Sequence, residues 1–166
     1  MPAWALTLVF WLHMLATVFW LGGLSAIGLL VLPAARRSLT SENQAVLLNE
    51  IQRRLEPLGW FCLALLAATG MFQMSENRDY TGFLTMDSPW TVAILAKHIL
   101  YLAMLGITAL QTWEILPAIR LATLKAQKTG NAQELVILER RQRRLLYVNL
   151  VLSALILGAT ALARVS

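Results

Sequence analysis

The fold is decided by the stretch HMLATVFWLGG (residues 13–23), which lies inside an apolar run from Pro2 to Leu32. That run contains no Asp, Glu, Lys or Arg, and it is longer than the roughly 20 residues that a membrane-spanning helix needs. It contains one titratable side chain, His13. Ionisable groups at membrane depth are costly to keep, so they are candidates for function by default.

The composition of the whole chain agrees with a membrane location. Of the 166 residues 58% are hydrophobic and only 14% are charged, with a mean hydropathy of +0.62. Soluble domains are about 25% charged. We therefore predict an integral membrane protein that forms one domain over residues 1–166.

Four segments are apolar enough to span a membrane: about 4–32, 58–74, 90–113 and 145–163. They predict an all-α four-helix bundle. A short amphipathic helix is predicted between the first two spans, because Ser41 and Gln44 form a capping-box pattern ahead of apolar residues at helical spacing. It would lead into the second span near Pro57. The third span is expected to begin at Pro89, with its N-cap just ahead of the proline, and Pro117 is expected to bend or end that helix.

The basic residues predict the orientation of the spans. Eleven of the 14 Lys and Arg residues fall in the 33–57 and 114–144 connections. Because cytoplasmic loops carry the excess of basic residues, both connections should be cytoplasmic. Both termini and the mildly acidic 75–89 loop would then be periplasmic, in a bacterial inner membrane. This placement explains the net charge of +5 without nucleic acid, and it leaves the lipid bilayer as the expected partner.

Three titratable residues should share one depth in the bundle. His13 lies about nine residues into a span that begins outside, hence roughly 13 Å deep, and His98 lies roughly 12 Å deep. Lys97 is at nearly the same level, and Tyr101 continues its face of the helix. Trp20 follows His13 along a line of the first span. No strong internal repeat is evident, although the first and third spans both carry a histidine.

Two neutral imidazoles at one depth on different helices are suited to axial ligation of a haem iron. Imidazole and thioether groups also suit copper, so methionines could join His13 and His98 around Cu(I). Each histidine could instead make only a hydrogen bond between helices. The candidate cofactor-binding residues are His13, Trp20, Lys97, His98 and Tyr101, and the candidate metal ligands are His13 and His98.

Several of these segments resemble the copper-resistance D (CopD) domain. The resemblance rests on His13 followed after six residues by Trp20-Leu-Gly-Gly, on residues 65–70 (LLAATG), and on residues 95–97 (LAK) after the 87–90 segment (DSPW). It implies a role in copper movement across the inner membrane.

The layout is also similar to that of HemJ-type protoporphyrinogen oxidases, whose functional first-span histidine and third-span lysine match His13 and Lys97. Asn149 corresponds to their fourth-span asparagine. That family has Ala-Gly after the tryptophan and Asn-Glu in the fourth span, whereas this chain has Leu21-Gly-Gly and Asn149-Leu. Whether the chain is an oxidoreductase of this kind stays open at this point.

Three functions follow as hypotheses. The first is a membrane protein that binds haem b and acts in electron transfer or redox chemistry. The second is a copper transport or resistance protein, with copper in place of haem. The third is a cofactor-free accessory subunit of a larger membrane complex. The sequence leaves open a homo-oligomer or partner membrane subunits.

Overall fold

The computed structural model describes residues 2–76 and 88–165, and within these ranges all regular structure is helical. There are four long helices: α1 (Ala3–Ser38), α2 (Ser41–Ser75), α3 (Pro89–Thr129) and α4 (Gln133–Val165). Each is long and apolar enough to cross a membrane. The predicted all-α, four-span membrane fold is therefore confirmed. Residues 77–87 of the predicted acidic loop lie outside the described ranges.

The amphipathic segment before the second span is helical, as predicted, but it is not a separate helix. It forms the first turns of α2, which continues through Pro57 without a break. The N-cap is Thr40 rather than the predicted Ser41, because the Thr40 side chain accepts a hydrogen bond from the backbone nitrogen of Asn43. At the start of α3, Ser88 is the N-cap and Pro89 the first helical residue, as the sequence predicted.

Pro33 in α1 and Pro117 in α3 do not end these helices. Each follows a stretch of wider π-helical turns, Ala26–Val31 before Pro33 and Gln111–Ile115 before Pro117. A proline in a helix has no N–H and collides with the carbonyl four residues earlier. The wider turns accommodate it, so α3 runs on to Thr129, and the predicted helix end at Pro117 is not observed.

The two π-helical stretches occur in similar local sequences. The segments VLPAAR (31–36) and ILPAIR (115–120) lie 84 positions apart, and in each the proline follows one residue after the π-helical turns. The same offset relates Gly22 to Gly106. This is a local likeness, and that the chain has no strong internal repeat stays a prediction.

The helices pack as two hairpins, α1 with α2 and α3 with α4. The hairpins meet where Gly28 of α1 lies against Leu146 of α4; a Cβ at Gly28 would be 2.7 Å from Cδ2 of Leu146. A larger residue at position 28 would therefore require the Leu146 side chain to shift. Gly22 and Gly23 fall in the stretch that decides the fold, but a Cβ at either position would meet nothing within 4 Å. These two glycines therefore do not serve the helix contact.

A small apolar core closes the centre of the bundle. Its buried members come from α1, α2 and α3: Ala16, Trp20, Cys62, Leu63 and Met104. We call these five residues the plug. Polar side chains lie on both sides of it along the helices. We call the layer towards the chain termini the outer polar layer, and the layer towards the arginine-rich connections the inner polar layer, after the orientation that the sequence predicts.

Candidate functional site

The outer polar layer is built around His13. Its Nδ1 atom lies 2.7 Å from the hydroxyl oxygen of Thr69 on α2. Thr69 uses its single hydroxyl proton on the Leu65 carbonyl oxygen at 2.6 Å, so towards His13 it can only accept. His13 therefore donates from Nδ1. In the neutral ring the lone pair is then on Nε2, the atom that a metal would bind.

Gly70, which follows Thr69, has no side chain to obstruct the imidazole of His13. A Cβ at Gly70 would lie 3.6 Å from Cε1 of His13, so the ring passes directly over this glycine. The ring is half-buried, so it is neither sealed in the core nor fully open to lipid. The hydrogen bond to Thr69 fixes the ring orientation, as second-sphere partners of metal-ligating histidines do.

Lys97 of α3 is half-buried and near enough to His13 for its charge to act on the imidazole. This proximity agrees with the shared depth expected for His13 and Lys97; a common site stays a prediction. The third residue of the predicted layer, His98, is also half-buried, and its Nδ1 donates to the Ile94 carbonyl oxygen of its own helix at 2.7 Å. Its role as a second metal ligand stays a prediction.

Tyr101 and Trp20 connect helices around this layer. The Tyr101 hydroxyl donates to the Leu63 carbonyl oxygen of α2 at 2.8 Å, which ties the two hairpins together. Trp20 is buried in the plug, and its Nε1 donates to the Ser153 hydroxyl of α4 at 3.3 Å. In the described contacts both side chains act in packing between helices; their predicted contact with a cofactor stays a prediction.

The candidate set from the sequence omitted two residues of the outer layer. One is Thr69. The sequence feature that could have identified it is the LLAATG segment, in which it lies. The other is Gln73, one turn further along α2, whose Nε2 is buried without a hydrogen-bond acceptor. Residues four apart on a helix share a face, so Gln73 lies on the same side of α2 as Thr69.

The inner layer is an amide and hydroxyl network on the other side of the plug. Asn149 of α4 is 1% exposed, and its Nδ2 donates to the Thr108 hydroxyl at 3.0 Å and to the Gln111 Oε1 at 3.1 Å. The Ser153 hydroxyl extends this network towards Met104 in the plug, with its oxygen 3.3 Å from the methionine sulfur.

The described residues contain no group of three or more His, Cys, Asp or Glu side chains that could hold a metal ion. Cys62 is a buried free thiol in the plug. Any metal at His13 would therefore receive at most two ligands of these types from the described part of the chain, with methionine, lysine or a non-protein group supplying the rest.

A family model described as copper resistance protein D matches residues 49–163, well over half of the chain. The match covers Thr69, Lys97 and Asn149, and it begins after α1, so His13 lies outside it. A search of curated proteins finds no significant match, and neither does a search of solved structures.

Proposed function

This chain belongs to the copper resistance protein D family, and from that premise we propose that it is a b-type haem protein of a bacterial inner membrane with a role in electron transfer or redox chemistry. The observation that carries the proposal is the hydrogen bond from His13 to Thr69, which leaves Nε2 of a membrane-embedded imidazole as a ligand atom.

A haem needs fewer ligands from the protein than a bare metal ion does. A bare copper or zinc ion takes several donors from the protein, whereas a haem brings four nitrogens of its own and needs only one or two axial ligands. Among the described residues the His, Cys, Asp and Glu side chains form no three-ligand group. A single well-oriented histidine suits the haem requirement. When bound, the haem would supply one-electron chemistry.

Two further side chains suit the polar edge of such a group. Lys97 acts electrostatically on His13 from α3, and the buried Nε2 of Gln73 has no acceptor. Carboxylates such as the haem propionates accept hydrogen bonds from ammonium and amide N–H groups. Lys97 and Gln73 would then hold the propionates, and His98 would be a second ligand of the iron.

The test is a visible spectrum of the purified protein before and after dithionite. We expect a Soret band that shifts on reduction, and its loss in His13→Ala. His98→Ala is the comparison variant, and it should change the spin state of the iron without removing the haem. Protein that shows no Soret absorbance even after haem supplementation would contradict the proposal.

A copper function is the second candidate, and family membership favours it. In this alternative copper is the cargo, His13 is its ligand in the outer layer, and methionines near the outer end of α2 assist. Copper binding should then persist after haem depletion and decrease in His13→Ala. Unchanged copper stoichiometry in that variant would exclude His13 as the copper ligand.

A further inference from the structure

Two adjoining cavities occupy the half of the bundle that carries the arginine-rich connections. The larger, about 330 Å³, is lined by side chains that include Arg36, Gln52 and Arg120. The smaller, about 140 Å³, extends inward to Trp20 and Asn149. They share five lining residues: Ile27, Gln52, Leu116, Gln142 and Leu146. The cavities therefore adjoin, and together they extend from the basic residues to the plug.

Asn149, at the inner end of the smaller cavity, has a buried oxygen without a donor. The Thr108 hydroxyl donates to the Met104 carbonyl oxygen at 2.9 Å, so it must accept from Asn149. This fixes the orientation of the Asn149 amide and leaves its Oδ1 with no protein partner. A buried acceptor without a donor costs about 1–3 kcal/mol. Such a group in a native protein calls for an explanation, and hydration through a small rearrangement is one that the adjoining cavity would permit.

Further polar residues line the cavities. Gln142 lies on the shared wall, and its Oε1 is a second buried acceptor without a protein donor. Glu56 and Thr112 also line the smaller cavity. A buried water makes about two to four hydrogen bonds and needs roughly 10–15 Å³ of cavity. Both the polar groups and the volume therefore suffice for several waters in a row.

The cavities do not continue to the outer layer. Trp20 forms part of the wall of the smaller cavity and belongs to the plug, where Leu63 and Met104 are 0% and 2% exposed. His13 precedes Trp20 by about two helical turns, roughly 10 Å. A packed apolar layer thus separates the inner cavities from His13.

We propose that the two cavities form a water-filled half-channel, open on the arginine-bearing side of the membrane and closed by the plug, with Asn149 at its innermost end. It brings water, and protons through it, to the middle of the bundle without opening a path across the membrane. The inference goes beyond the proposed haem site and is independent of which cofactor His13 binds.

Thiol accessibility in sealed vesicles tests the half-channel. Cys62 is the chain's single cysteine, so Cys62→Ala gives a background without thiols. Thr112→Cys and Leu24→Cys place probes on two different helices in the smaller cavity. Gly106→Cys is the lipid-facing control, since a Cβ there has no neighbour within 4 Å and the residue is exposed. Gln127→Cys, on the rim of the larger cavity, reports the open side.

A membrane-impermeant, charged methanethiosulfonate reacts only with hydrated thiols. We expect complete loss of free thiol in Thr112→Cys and Leu24→Cys from the same side as Gln127→Cys, and no loss in Gly106→Cys before denaturation. If both probes stay unreactive like Gly106→Cys, lipid chains or collapsed packing fill the space and the proposal is overturned. Reaction from the side opposite to Gln127→Cys would also overturn it.

A blocking variant tests whether the two cavities are continuous. Leu116→Trp, or Ile27→Trp if the first elutes as aggregate, places a bulky side chain on the shared wall. Labelling of Leu24→Cys should then be lost while labelling of Gln127→Cys persists. Unchanged labelling of Leu24→Cys in a blocked, monodisperse protein would show that the route does not pass through the larger cavity.

Discussion

The Nδ1 atom of His13 donates to the hydroxyl of Thr69 at 2.7 Å, and the same hydroxyl donates to the Leu65 carbonyl of its own helix. This short relay fixes three things at once: the tautomer of the imidazole, its rotation and the atom that faces a ligand. Nδ1 makes the hydrogen bond that joins the two helices. Nε2 is the ring nitrogen that this arrangement leaves for a ligand.

Removal of the Thr69 hydroxyl tests this orientation. Thr69→Val keeps the shape of the side chain but removes the acceptor, so the imidazole loses its fixed tautomer. Second-sphere substitutions of this kind lower metal affinity by about 10–100-fold. We expect that loss in haem titrations of the apoprotein followed by Soret absorbance.

Thr69→Ser is the matched control, because it retains the hydroxyl that accepts from His13. It should bind haem as the unmodified protein does. Equal haem affinity in Thr69→Val and Thr69→Ser would show that the hydrogen bond has no role in ligation.

Lys97 and His98 are adjacent in sequence, and their substitutions should have different signatures. If Lys97 binds a propionate, Lys97→Met removes an ionic hydrogen bond worth about 1.5–3 kcal/mol, or roughly 10–150-fold in haem affinity. Lys97→Arg should retain most of it. In neither variant should the spin state of the iron change, whereas in His98→Ala it should. A spin-state change in Lys97→Met would instead identify the lysine as the axial ligand.

Trp20 should affect stability without affecting the cofactor. Trp20→Phe loses the 3.3 Å hydrogen bond to Ser153 and should destabilise the protein by about 0.5–1.5 kcal/mol. Trp20→Ala also leaves a cavity in the plug and should cost about 3–5 kcal/mol. Thermal unfolding in detergent measures both. A shifted Soret band in Trp20→Phe would contradict this role, since the side chain would then contact the haem, as the sequence pattern predicts.

The depth of the titratable side chains along the helices could be predicted from the sequence. Which of them contact each other could not. Counting residues from the span ends placed His13 and Lys97 at one level, and the structure brings them within electrostatic reach. Rotation about the helix axis decides which side chains meet, and it depends on packing between helices. That is why Thr69 and its hydrogen bond to His13 could not be derived from periodicity alone.

Two further features were hidden for different reasons. The half-channel depends on the volumes of side chains from four helices, which no single-helix pattern encodes. The likeness of VLPAAR and ILPAIR can be read directly from the sequence. Their π-helical turns before Pro33 and Pro117 cannot, because hydropathy does not encode this backbone geometry.

The contact between the two hairpins gives the last prediction. Gly28→Ala should lower the unfolding temperature, because the added Cβ would lie 2.7 Å from Cδ2 of Leu146, which is buried. Overpacking of this kind costs about 1–3 kcal/mol. Gly106→Ala is the matched control: its Cβ meets nothing within 4 Å, and loss of glycine from a helix interior should stabilise by about 0.5–1 kcal/mol.

Leu146→Val shortens the opposing side chain, so its combination with Gly28→Ala should cost less than the two separate effects added together. Strict additivity would mean that α1 and α4 do not meet at this glycine.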